Sequence, residues 1–470
     1  MRTKPDNLAH ARDGLTRRGF LVAGSLSAAG LTLADLLRAE DAAGIRASRK
    51  AVVNIHLDGG PSHLDMIDLK PDAPAEIRGE FSPIATRVPG CSISELLPKL
   101  AAIADKFVFI RSLVGSVGAH DAFQCQSGFS EKDEKSIGGR PALGSVIAKL
   151  RGSLRDTAPS FVDLMQGRPF VRNSARPGFL GPSFQPFRPD ISKMFSRPLE
   201  EGMKRELAAR GADHATSLTL LDGLSIDGLQ DRMSLLNGFD RFRRDVDASG
   251  MMRAMDGFTQ QAAGILTSGR FAAALDLSQE DPRVMARYSL PESSIVDPEG
   301  TSEGAAWPKK LLLARRLIEA GVRSVSLSLS DFDTHSGNFS RLRRILPLLY
   351  HGLEAFMTDL VERDLVDDVS IVAWGEFGRT PTIDAKTAGR HHWPSVGMAL
   401  LAGGGMRTGQ VIGQTDRQAG MAVSRPVTYQ DVLATLYHNL GIDLDVTRLT
   451  DPSGRPQFLL NSGEPLREVV

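Results

Sequence analysis

The chain has 470 residues, 41% hydrophobic and 24% charged, which suits a soluble protein with a proper core in one large α/β domain or two smaller ones. Lys+Arg and Asp+Glu are equal at 56 each, so no global field draws in nucleic acid or an anionic membrane. No low-complexity run or fixed-period repeat is visible, which argues against solenoids and propellers.

Residues 16–22, T-R-R-G-F-L-V, look like a twin-arginine export signal, followed by an apolar, small-residue segment to about residue 33. That segment is shorter than the ~20 apolar residues of a membrane span, so no stable transmembrane anchor is expected. Residues 1–47 are read as a signal region for the twin-arginine translocase, and the protein is expected in the periplasm or cell envelope. Two cysteines, Cys91 and Cys125, could pair in an oxidising compartment, and neither belongs to a C-x-x-C pattern.

The apolar run at 51–57 predicts a buried strand, broken by the turn residues Asp58-Gly59-Gly60-Pro61. His63, Asp65 and Asp68 follow at once. In open α/β sheets ligands and catalytic groups collect past the C-terminal ends of strands. The same residues also suit a solvated loop whose acids cap the next element. Helical spacing over 94–105 and a short buried strand at 107–111 suggest a βαβ unit with a parallel pair. Ser116, His120 and Asp121 then lie past that strand. A helix is expected over 139–149 and a strand fragment at 160–164. Residues 170–189 read as a long surface loop, and about 190–300 as a helical insertion.

The amphipathic pattern at 307–320 predicts a helix ending at Gly321, and 322–329 alternates as a strand that runs into Asp331, Asp333 and His335. A long helix over 340–362 leads to a strand at 369–374, which delivers Glu376 and Arg379. His391 and His392 come next, then an apolar run at 396–402 and a last helix over 429–440 capped by Thr428. Acids and imidazoles gathered in this way suit a divalent ion such as Zn, Mn, Ca or Mg. Arg379 is a natural fork for a tetrahedral oxyanion, or else a salt-bridge partner of Glu376.

The blocks G-G-P-S-H-L-D-M-I-D-L-K-P, F-D-T-H-S-G-N-F, G-E-F-G-R-T-P and G-R-H-H-W-P, spread over residues 51–443, resemble the signature of the domain-of-unknown-function 1501 family. These are exported proteins often described as sulfatase-like, within the alkaline phosphatase and sulfatase superfamily. The resemblance implies a central, mostly parallel sheet flanked by helices and a metal-dependent site for a phosphate or sulfate ester. By position it implies metal ligands at Asp58, Asp333, His335, Glu376 and His392. The superfamily's D-x-x-x-H spacing points instead to Asp331 with His335. His63, Asp65, Asp68 and His391 would support the ligands or replace them.

Three departures stand out. Phe377 occupies the place of a metal-binding polar residue, and His391 stands where the family commonly has Asp. No sulfatase-type C-x-P-x-R follows the second strand, which leaves Ser116 and His120 as the nearest candidates for catalysis. The rival expectation is a non-catalytic binding or surface-assembly protein on the same fold, suited to a sulfated polysaccharide.

Overall fold

The computed structural model describes residues 49–121, 123–134, 136–153, 156–195, 204, 205, 208, 269–291 and 301–470. Residues 49–470 form one compact unit. The expected signal region and most of the expected insertion lie outside the described residues.

Every residue of β1 (Ala51–Leu57) is buried, because the strand runs through the middle of a mixed sheet. The other strands are β2 (Phe107–Val114), β3 (Phe161–Asp163), β4 (Ser324–Leu329), β5 (Val369–Trp374), β6 (Gly397–Gly403), β7 (Gln410–Ile412) and β8 (Val427–Thr428). Their order is β7-β2-β6-β5-β1-β4-β3, with β8 also pairing β2. β1 lies parallel to β4 and β5, β3 parallel to β4, and β7 and β8 parallel to β2. Only β6 runs against its neighbours, β2 and β5. The sheet is therefore mostly parallel, and helices cover it.

Alternation along the central strands feeds two apolar layers. Val53, Ile55 and Leu57 of β1 join Ile371 and Ala373 of β5 on one face, against α3 (Pro308–Glu319) and α4 (Asn338–Glu362). Val52, Val372 and Trp374 face the other way, towards α1 (Leu143–Arg151) and α5 (Tyr429–Asn439). Thr428 caps α5 in a reciprocal capping box with Asp431, an arrangement worth about 1 kcal/mol.

Three expectations need correcting. The second strand is not β1's neighbour, since β5 and β6 separate them. The stretch expected as one helix over 94–105 is helical only over Pro98–Ala102 and in a following 3-10 turn. Pro98 at the first helical position sets that start. The stretch expected as a surface loop over 170–189 begins inside α2 (Gly167–Arg172), and its Ala175 and Phe179 are buried. Within the expected insertion, Arg270–Leu275 is helical and sends Phe271 and Ala274 into the main core. Cys91 and Cys125 are both buried free thiols. No described helix is long and apolar enough to cross a membrane.

Candidate metal centre

Strand register builds this site. β1 and β5 run side by side with His56 opposite Trp374, so the residues two further on, Asp58 and Glu376, emerge next to each other on the same face. Both are fully buried. His56 shares that face, and its Nε2 lies 3.8 Å from Asp58 Oδ1 and 3.6 Å from Glu376 Oε2. Neither ring nitrogen of His56 finds a hydrogen-bond partner among the described residues, and neither does Glu376 Oε2. Glu376 Oε1, by contrast, accepts from the Gly59 N–H at 2.9 Å and faces His120 Nδ1 at 2.9 Å.

A second group stands closer to solvent. Asp333 Oδ1 is 2.7 Å from an Arg379 terminal nitrogen, 3.1 Å from His335 Nε2 and 3.6 Å from His392 Nε2. Its Oδ2 is 3.1 Å from an Arg168 terminal nitrogen and 3.2 Å from His120 Nε2. Arg168 also reaches Asp58 Oδ2 at 3.0 Å, and Asn173 donates to Asp58 Oδ1 at 3.4 Å. His120 and Arg168 thus each link the inner acids to Asp333.

These neighbours set the charges. Burial pushes the Asp58 carboxyl up, but the His56 ring and the Arg168 guanidinium outweigh it and hold the pKa at about 2. Burial likewise disfavours the charged His120 ring, yet Asp333 and Glu376 raise its pKa to about 9. Asp333 is held far below the usual carboxylate range: burial opposes this, and the His120, His392 and Arg379 contacts prevail. His335 shifts down because burial outweighs its attraction to Asp333.

The remaining predicted site residues have other partners. Asp331 takes φ of 77° and turns its carboxylate to the backbone N–H and hydroxyl of Ser302, at 2.7 and 2.6 Å. Of the D-x-x-x-H alternatives, Asp333 is therefore the acid that enters the cluster. Arg379 is fully buried, and its guanidinium donates to the carbonyls of Gly59, Gly60 and Arg390 as well as to Asp333. Those bonds fix it in the protein instead of offering it as a free fork. The Ser116 hydroxyl donates to the Glu376 carbonyl at 2.6 Å and is not aimed at the acids. Asp65 pairs with Arg390, Asp68 with Lys70 and Thr415, and His63 Nε2 with the Ala419 carbonyl. His391 stands at the rim between His335 and Asp384. Phe377 packs its ring against His392, with centroids 4.2 Å apart.

Two groups went unforeseen, His56 and Arg168. A period-two count back from Asp58 would have put His56 on the same face. Arg168 follows β3 by five residues, again past a strand's C-terminal end, but its direction depends on α2.

The inner trio fits a divalent ion. Ions that take nitrogen and oxygen ligands at about 2.0–2.2 Å hold adjacent ligand atoms about 3–3.5 Å apart. The separations at His56 are a few tenths of an ångström wider than that, and its buried imidazole nitrogens are unpartnered.

The fold and site together define an α/β protein with an acid, imidazole and guanidinium centre at the carboxyl edge of its sheet. The chain belongs to the family described as Protein of unknown function (DUF1501), whose profile it matches over residues 49–470. No curated protein sequence matches it. Among solved structures it is similar to the PsFucS1 sulfatase from Pseudoalteromonas sp., at 10% identity and a TM-score of 0.37, over 87% of this chain and 71% of that one. It is also similar to the lipoteichoic acid synthase LtaP from Listeria monocytogenes (9% identity, TM-score 0.32, 84% and 73% covered). A third is the phosphonate monoester hydrolase of Agrobacterium radiobacter (13% identity, TM-score 0.30, 83% and 74% covered).

Proposed function

We propose that this protein is a metal-dependent hydrolase of phosphate or sulfate esters, with a divalent ion held by His56, Asp58 and Glu376. The buried His56 ring carries this proposal: it faces two carboxylates at 3.6 and 3.8 Å and hydrogen-bonds to neither. A buried imidazole in that position is costly unless something completes its surroundings. When bound, the ion supplies Lewis acidity towards the ester oxygen and towards water.

The chain's own residues supply the rest. His392 donates from Nδ1 to the Gly118 carbonyl at 2.9 Å, which holds its ring with Nε2 facing Asp333. His120 hydrogen-bonds Glu376 through Nδ1 and pairs with Asp333 through Nε2, which keeps the two acids in register. Arg168 is partly exposed and presents a fixed positive charge to an anionic ester. His335 orients Asp333 from the rim. Export to the periplasm through the twin-arginine translocase belongs to the same proposal and rests on residues 16–33 alone.

A second reading, a binding protein without turnover, is favoured by one observation. The Ser116 hydroxyl, the nearest candidate nucleophile in the sequence, is tied to the Glu376 backbone carbonyl. The deciding experiment measures metal content and turnover of aryl phosphates and aryl sulfates. It compares wild type, purified without chelators, with His56→Ala and Glu376→Gln. Bound metal and turnover in the wild type, both lost in folded variants, supports the hydrolase. Folded wild-type protein that takes up no metal ends that proposal, and metal without turnover on any ester favours the binding protein.

A further inference from the structure

We infer that Arg168 is the second cation of this centre, a guanidinium fixed where a second metal would bridge Asp58 and Asp333, so that the centre takes one ion only. The inference rests on the metal site proposed above and goes further by fixing the number of ions.

The two groups of ligands are not equivalent. At the inner trio, both His56 nitrogens and Glu376 Oε2 are without hydrogen bonds. Asp333 is crowded by cations: Arg379 and His335 approach Oδ1 at 2.7 and 3.1 Å, and Arg168 and His120 approach Oδ2 at 3.1 and 3.2 Å. Asp333 also stands with His120 and His392 in a group of ligand atoms close enough to hold an ion, but an ion there would have to displace the Arg168 or Arg379 guanidinium, both of which hydrogen-bond the carboxylate.

Arg168 lies where such an ion would have to sit. Nε and a terminal nitrogen are both 3.0 Å from Asp58 Oδ2, while the other terminal nitrogen is 3.1 Å from Asp333 Oδ2. A planar guanidinium spans two carboxylates in this way, and a lysine ammonium offers only a point charge. The position is built by the chain. Gly167 at φ of 63° starts α2, and Asn173 at its far end also reaches Asp58. Unlike a metal, this charge cannot be removed by a chelator and does not titrate near neutral pH.

The test dialyses the full-length protein against Zn(II) and, separately, Mn(II), and counts bound metal by mass spectrometry while circular dichroism confirms folding. Wild type and Arg168→Lys should each hold about one equivalent, and Arg168→Ala about two. The additional ion should disappear in the Arg168→Ala, Asp333→Asn double variant. Arg168→Gln replaces Arg168→Ala if the alanine variant does not fold. Two equivalents in the wild type would overturn the role of Arg168 and leave the hydrolase proposal standing. One equivalent in a folded Arg168→Ala or Arg168→Gln protein would also overturn it. No bound metal in the wild type would remove the hydrolase proposal, and this inference with it.

Discussion

Arg390 grips Asp65 through two parallel contacts, Nε to Oδ2 at 2.8 Å and a terminal nitrogen to Oδ1 at 3.0 Å, with both side chains sealed from solvent. Ser62 and Asn338 add donors to the same carboxylate, and Arg390 also donates to the carbonyls of Ile77, Thr380 and Pro381. The knot ties the loop after β1 to the segment carrying His391 and His392. Asp65→Ala would strand a buried guanidinium, and the expected loss is about 3–5 kcal/mol. Urea unfolding measures it. A loss below about 1 kcal/mol, together with loss of bound metal, would return Asp65 to the metal site.

Arg379 makes a similar case against its expected role. Its contacts with the carbonyls of Gly59, Gly60 and Arg390 fix the turn after Asp58, whose Gly59 N–H donates to Glu376. Arg379→Lys keeps the charge but not the fork, and stability is expected to fall by about 2–4 kcal/mol. Unchanged unfolding midpoints with a raised KM would instead show that Arg379 holds substrate.

His120 makes stability depend on pH. Its folded pKa of about 9 lies above the ordinary 6.5, so its contribution is complete below about 6.5 and is lost as pH rises through 9. A shift of that size is worth up to about 3 kcal/mol, and solvent screening of this partly exposed group reduces it to about 1–2 kcal/mol. Asp58 acts in the opposite direction: its contribution is present above 3.8 and is lost as pH falls through about 2. In metal-free protein, urea midpoints at pH 6, 7.5 and 9.5 should decline in the wild type and lose most of that decline in His120→Gln. Equal slopes in the two proteins would disprove the charged state assigned to His120.

Gly59 allows the two halves of the centre to approach. At φ of 112°, it leaves room only for hydrogen, since a Cβ would meet the Asp333 backbone nitrogen and lie 2.7 Å from the Phe332 carbonyl carbon. Gly59→Ala is expected to destabilise by about 2–4 kcal/mol and to reduce metal uptake, because Asp333 must shift. Calorimetry with a metal assay on the same sample checks both effects. Wild-type stability and wild-type metal content would show that the loop yields freely.

The sequence by itself determined the strands and the acids that leave them. The apolar runs at 51–57 and 369–374 and the alternating segment at 322–329 mark strands, and Asp58, Asp333 and Glu376 follow them closely enough for local pattern to find them. The same pattern treated Asp65, Asp68 and His63 as equals of Asp58, because all stand within a few residues of the strand end. Only the tertiary structure separated them. Asp65 meets Arg390 across 325 positions, Asp68 meets Thr415 across 347, and His63 meets the Ala419 carbonyl across 356. Asp58, at the same strand end, keeps His56 on one side and Arg168, 110 positions away, on the other. What a carboxylate does is set by the donors that reach it. Along a chain those donors are fixed by sheet order and helix direction, and residue type alone encodes neither.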